Sequence, residues 1–363
     1  MASSEAHPDP KPESAAAPAT RPGPLFAPAS AEAGPKVCVV AEIGVNHDGQ
    51  LERAIPLMRA AKLAGADAVK FQLFDPKWLL SNQAQLAGYQ KEGNDSVFEM
   101  LDSLKLEADD MLALRAEARR LGLAFVITPF SLENFDLVKD LHVDAVKIAS
   151  IDVVNLPLIK LTASLGRTMI VATGASDLEE LDPCVQIIRD QPACLLHCVS
   201  SYPAPVEDAS IGALPAMSER FGLPVGYSDH TNDLMTGALA VAAGACVIEK
   251  HVTYDRRAVG PDHAASFDTA LFARYVEAIH QAVVSFGKRA KVVRGVEAEV
   301  RTISRQSICL VRDLSAGHVL EAGDLTIKRP GTGIPPAELD QTIGQRLARD
   351  VKANDLLHEE DLA

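Results

Sequence analysis

From residue 37 onward, short Val- and Ile-rich runs recur along the chain. Each ends on a polar or small residue and leads into a stretch with helical spacing of its apolar positions. Eight runs are counted, at 37–40, 68–71, 124–127, 145–148, 169–172, 194–198, 225–227 and 246–249. Eight buried strands alternating with helices predict an α/β chain folded as a (β/α)8 barrel, an architecture of about 250 residues. Gly65-Ala-Asp-Ala-Val-Lys70 resembles Val143-Asp-Ala-Val-Lys147, with a looser echo in Gly244-Ala-Cys-Val-Ile-Glu-Lys250, as a repeated βα unit would produce. An open doubly wound sheet would need a Gly-rich phosphate loop after an early strand, and Gly44 and Gly49 do not form one.

Such a barrel places its active site at the carboxyl ends of the strands. Those ends read Glu42, Lys70 and Gln72, Thr128, Lys147 and Ser150, Thr173, Ser200 and Tyr202, Ser228 and His230, then His251. Polar groups ringed around one mouth predict a polar ligand. The longest insertion, 73–104, carries Trp78, Tyr89, Gln90 and Lys91 and has the length of a lid or substrate wall. Expected bounds are a disordered tail over 1–35, a catalytic barrel over 36–287, a linker over 288–304 and a small β-rich module over 305–363. In that module, 316–325 and 353–362 look like two copies of one turn-strand-turn unit.

Composition narrows the field. The net charge is −14, with 35 Lys and Arg against 49 Asp and Glu, and no basic stripe is visible, so a nucleic-acid partner is not expected. No apolar run reaches the length of a bilayer span, and the Pro-, Ala- and Ser-rich start has no signal-peptide core. Six cysteines without a C-x-x-C pair read as buried reduced thiols of a cytoplasmic protein.

Lys70 and Lys147, on strands two apart and joined by the Thr128 and Ser150 hydroxyls, form a cage for a multiply charged anion; a Schiff-base lysine is the alternative. His230 and His251 each follow an apolar segment and can meet on one divalent ion. Two nitrogens with oxygen elsewhere suit manganese first, then magnesium or cobalt. Glu42 and Asp262 are candidate proton handlers or hydroxyl binders.

Nine motifs in order resemble the sialic acid synthases. They are Ala41-Glu-Ile-Gly-Val-Asn-His-Asp-Gly49, Val69-Lys-Phe-Gln72, Ile127-Thr-Pro-Phe130, Val146-Lys-Ile-Ala-Ser150, Leu196-His-Cys-Val-Ser-Ser-Tyr-Pro203, Gly226-Tyr-Ser-Asp-His230, Glu249-Lys-His251, Gly260-Pro-Asp-His263 and Lys328-Arg-Pro-Gly-Thr-Gly-Ile334. The resemblance runs from about Val37 to the end. It implies a barrel followed by an antifreeze-like (SAF) domain, a divalent metal and a domain-swapped homodimer. It also implies condensation of phosphoenolpyruvate with an N-acetylmannosamine-type sugar to a nonulosonic acid and phosphate.

By resemblance, Lys70, Thr128, Lys147, Ser150, Ser200 and Ser228 bind phosphoenolpyruvate and His230 and His251 hold the metal. Glu42, Gln72, Tyr202, Asp262 and Arg329 face the sugar, with Glu42, Asp262 and Arg329 the catalytic candidates. The chain departs from the family pattern at Ala172, where Ser is common, and at Ile151-Asp152, where Gly-Glu is common. A legionaminic or pseudaminic acid precursor, a diacetamido-trideoxy sugar, is therefore an alternative acceptor. A non-catalytic carbohydrate-binding protein is disfavoured because neither a metal histidine nor an anion lysine is lost.

Overall fold

The computed structural model describes residues 35–86, 90, 96–288 and 290–363; the expected tail lies outside them except for Pro35, as do Tyr89 and Lys91 of the insertion. The chain divides into two compact units, Met1–Arg289 and Ala290–Ala363.

In the first unit eight parallel strands follow one another around a closed ring: β1 (Cys38–Gly44), β2 (Ala68–Leu73), β3 (Ala124–Pro129), β4 (Ala145–Ile148), β5 (Thr168–Ala172), β6 (Ala193–Cys198), β7 (Val225–Asp229) and β8 (Val247–Thr253). Pairing of β1 with β8 closes the ring, and a two-residue strand, β9 (Phe267–Asp268), extends β8. All eight predicted strands are present.

Where the apolar runs stop, the ladder continues. β8 reaches Thr253, so His251 lies within the strand rather than after it, because backbone pairing does not require an apolar side chain.

Alternation along each strand divides the apolar residues into two layers. Val40, Ala68, Val126, Ala145, Ile170, Leu196 and Val247 point inward and fill the lower barrel. Their neighbours Val39, Val69, Phe125, Val146, Val171, Leu195 and Ile248 point outward against the helices. Those helices include α1 (Leu51–Ala64), and α4 (Ala108–Leu121), with α10 (Thr269–Phe286) packed on α1.

Within the insertion, α2 (Pro76–Leu79) and α3 (Val97–Leu104) carry a satellite apolar cluster. Met100 and Leu104 pack there with Val45, Phe74 and Phe130. All six cysteines are free and buried. Among the described residues no helix is long and apolar enough to cross a membrane.

The second unit has its own core of Ile308, Leu310, Leu314, Leu320, Ile334, Leu347, Val351 and Leu357. Strands β10 (Ser307–Leu310) and β11 (Leu325–Lys328) pair antiparallel. The two look-alike segments do form matching turns. Asp324, buried in one, binds Arg312 at 2.6 Å and His318 at 2.8 Å; Asp361, buried in the other, binds Arg349 and accepts the His358 backbone N–H at 2.7 Å.

Gly226 on β7 sits so close to its neighbours that an added Cβ would meet Leu196 Cδ2 and the Val247 carbonyl oxygen, each at 2.5 Å. Backbone cannot yield there without disturbing the ring. Gly226→Ala is expected to destabilise the protein by about 1–3 kcal/mol. A lowered urea midpoint would register the loss, and an unchanged midpoint would contradict this account of the packing.

Candidate active site

Above the apolar layer the inward positions become polar, and strand register decides which of them meet. Glu42 on β1 stands opposite Lys70 on β2 and opposite His251 on β8. Ser228 on β7 stands between Cys198 on β6 and Glu249 on β8. Glu42, Lys70, Gln72, Thr128, Lys147, Ser150, Ser200, Tyr202, Ser228, His230, His251 and Asp262 all line one cavity of about 410 Å³. Arg329 belongs to the second unit, where it is exposed at the end of β11.

The floor is an ionic lattice. Lys147 Nζ lies 2.6 and 2.8 Å from the two Glu249 oxygens, and Lys70 Nζ lies 3.0 Å from Glu42 and 3.4 Å from Glu249. Lys70 also reaches Thr128 Oγ1 at 3.4 Å, and the Ser228 hydroxyl donates to Glu249 at 2.9 Å.

Burial opposes the charge on Lys70, but Glu249 and Glu42 overcome it and hold its ammonium above the usual value. That argues against the Schiff-base reading, which needs a free amine. Burial pulls Lys147 down against Glu249, yet with both carboxylate oxygens within 2.8 Å the pair stays ionic. Glu249, against the pull of its own burial, is held low by Lys147 and Lys70.

Two residues beyond Ser228 and Glu249, the imidazole rings of His230 and His251 have centroids 5.6 Å apart, with the Tyr202 ring 4.2 Å from that of His230 and His230 Nε2 3.4 Å from Ser228 Oγ. His230 Nδ1 donates to the Val199 carbonyl at 2.7 Å, which leaves Nε2 with its lone pair. His251 Nδ1 is buried without a hydrogen-bond partner and lies 3.5 Å from Asp262 Oδ2. Burial keeps both rings neutral, lowering His230 to about 4. Two neutral nitrogens, one of them orphaned beside a carboxylate, fit an incomplete set of ligands for a divalent ion. Among the described residues no cluster of three or more His, Cys, Asp or Glu is arranged as a metal site. Burial, and then Glu42, raise Asp262 to about 7.

The departures from the family pattern fall on this cavity. Ala172 and Ile151 line it, whereas Asp152 is not in the wall and accepts from Asn155 Nδ2 at 3.3 Å. Gly174 donates its backbone N–H to Ser150 Oγ at 3.0 Å.

The sequence matches the NeuB family over residues 57–291 and the SAF domain over 305–363. The chain belongs to the NeuB family. Among its NeuB-type relatives, the N,N'-diacetyllegionaminic acid synthase of Legionella pneumophila is 38% identical, with 88% of this chain and 92% of that protein covered. The pseudaminic acid synthase of Helicobacter pylori is 31% identical over 89% of this chain and 97% of its own length. The crystal structure of the N-acetylneuraminic acid synthetase of Leptospira borgpetersenii superposes with a TM-score of 0.67 at 30% identity. It covers 73% of this chain and 90% of that one. This NeuB-family chain is therefore a synthase of the nonulosonic acid type, a barrel followed by a SAF domain.

Three features of the NeuB site escaped the residue-by-residue reading. Glu249 ends the eighth apolar run, and a carboxylate between Ile248 and Lys250 in a buried strand, two residues before His251, marks a shared inward face. Asp229 and Lys250 point to the outer side of the barrel, immediately before the two histidines. Asp229 accepts from the Thr231 backbone N–H at 2.8 Å and from the Thr236 and Tyr275 hydroxyls at 2.6 Å each. Lys250 lies 3.5 Å from Asp229 and 4.2 Å from the Phe267 ring centroid. The signal for these was again a charge inside an apolar run. Cys198 Sγ lies 3.1 Å from Ser150 Oγ.

Lys147→Met would keep the side-chain bulk and remove the charge facing Glu249. A broken buried pair typically loses about 3–5 kcal/mol. A fall of that order in unfolding free energy is expected, and a variant as stable as the parent would refute the lattice.

Proposed function

We propose that the cavity condenses phosphoenolpyruvate with the open-chain aldehyde of a 2-acetamido sugar, giving a nonulosonic acid and inorganic phosphate. One observation carries the reading: two buried ammonium groups gathered around Glu249 and several hydroxyls share one cavity with two neutral imidazoles and the buried Asp262. The floor suits a phosphate and a carboxylate together, with Lys70, Thr128, Lys147, Ser150, Ser200 and Ser228 as the contacts.

In the step this supports, the methylene carbon of phosphoenolpyruvate bonds to the aldehyde carbon. The aldehyde oxygen becomes a hydroxyl by taking a proton. Asp262, buried in the cavity wall beside His251, is placed to supply it from its carboxyl group. Water then adds at the cationic carbon that bears the phosphate oxygen; as that carbon–oxygen bond breaks, the water oxygen becomes the keto oxygen of the product, one of its protons leaving with the phosphate and the other restoring the Asp262 carboxyl group. Glu42, Gln72 and Tyr202 orient the sugar; Gln72 Nε2 already donates to Glu42 Oε1 at 3.1 Å. A divalent ion, manganese before magnesium or cobalt, held by His230 and His251 would polarise the aldehyde carbonyl. A cytoplasmic setting accords with six free buried cysteines.

Two acceptors fit this chemistry, N-acetylmannosamine and a diacetamido-trideoxy sugar. The second is favoured by the legionaminic acid relative and by Val45, Phe74, Met100, Leu104 and Phe130, which give the cavity an apolar flank suited to deoxy and acetyl methyl groups. Phosphate release should be measured with phosphoenolpyruvate and each sugar, before and after chelation. The trideoxy sugar is expected to be preferred by roughly tenfold or more in kcat/KM. Chelation should abolish release and manganese should restore it. The reverse preference would overturn the acceptor; no release with either sugar would overturn the function.

The same proposal extends to the assembly, in which the SAF domain of one subunit serves the barrel of another and Arg329 orients the sugar in trans. Its support is the family resemblance, the exposed Arg329, and the exposed Val296, Val300 and Ile303 beside and on α11 (Ala298–Ser304), apolar side chains that a second chain would cover. Mixing His230→Ala chains with Arg329→Ala chains tests it. Recovered activity is expected, since a mixed dimer pairs an intact barrel with an intact arginine. Verified subunit exchange without recovery would refute the swap.

A further inference from the structure

At the centre of the cavity floor a carboxylate stands between the two ammonium groups. Glu249 is 2% exposed, touches both ammonium groups and accepts a hydrogen bond from the Ser228 hydroxyl. Without a bridge, two ammonium groups in a dry cavity would repel one another, and long flexible side chains would swing apart. With it, Lys70, Lys147 and Ser228 converge from three different strands upon one carboxylate. The bridge stands on β8, a strand paired on both sides, so its position is set by the ladder rather than by a loop. We propose that Glu249 is the positioning residue for the anion anchors, holding Lys70, Lys147 and Ser228 around one point so that phosphoenolpyruvate meets donors already in place. The inference rests on phosphoenolpyruvate being the substrate.

A purely neutralising carboxylate and a positioning one predict opposite signs. Removing a negative charge from an anion pocket should tighten anion binding if neutralisation is all that Glu249 does. Removing a positioning group should weaken it, because the donors must then be ordered at the expense of binding.

Phosphoenolpyruvate is titrated calorimetrically into full-length manganese-supplied protein, and KM is measured for each substrate. For Glu249→Gln, the Kd and KM for phosphoenolpyruvate are expected to rise by roughly tenfold or more, with the KM for the sugar unchanged. Glu249→Asp keeps the buried charge, draws it back from the lysines, and should give an intermediate loss. Equal or tighter phosphoenolpyruvate binding by Glu249→Gln overturns the proposal. If that variant does not fold, an unimpaired affinity in Glu249→Asp overturns it instead. Failure of the wild-type protein to bind phosphoenolpyruvate would mark the substrate reading as the error and would remove this inference with it.

Discussion

Closure of the barrel by pairing of β1 with β8 is the constraint on which the rest of the site depends. It sets Glu42, already beside Lys70 through the pairing of β1 with β2, beside His251 on its other side. Residues from the start and end of the barrel sequence thereby share one level of one ring. An open sheet with the same strands would leave Glu42 and His251 on opposite edges, and the lysines and the histidines would not share a common space.

Once closed, the ring concentrates charge where water is scarce. Glu42, Glu249, Lys70 and Lys147 are almost wholly buried, so none is tolerable alone and each is stable only through the others. This interdependence also differentiates the groups chemically. The lysines keep Glu249 ionised, while Asp262, with no ammonium group at hydrogen-bonding distance among the described residues, is pushed up to about 7 by its burial. Two carboxyl groups shifted in opposite directions therefore coexist within a single cavity, and environment alone separates them.

The outer face of the same strands supports the inner one. Because side chains alternate, each histidine of the wall follows a residue that points outward: Asp229 before His230 and Lys250 before His251. These two form a buried polar cluster with Thr231, Thr236 and Tyr275 that ties the strand ends to helix α10. The histidines are held from behind, much as the ammonium groups are held from below.

Much of this was legible in the sequence. Periodicity alone was enough to identify eight strands and the barrel, because buried parallel strands must be apolar on both faces and the helices between them must be amphipathic. Strand-end polarity likewise marked the residues from Glu42 to His251, since a polar group at the mouth of a barrel requires a partner or a ligand. What the sequence could not determine was which charges neutralise which. Lys70 and Lys147 read as free cations awaiting an anion, whereas Glu249, contributed by a distant strand, bridges both. Pairing across a ring is set by register and by inward direction. Both are fixed only when β1 meets β8, so the electrostatics of the site belong to the tertiary structure.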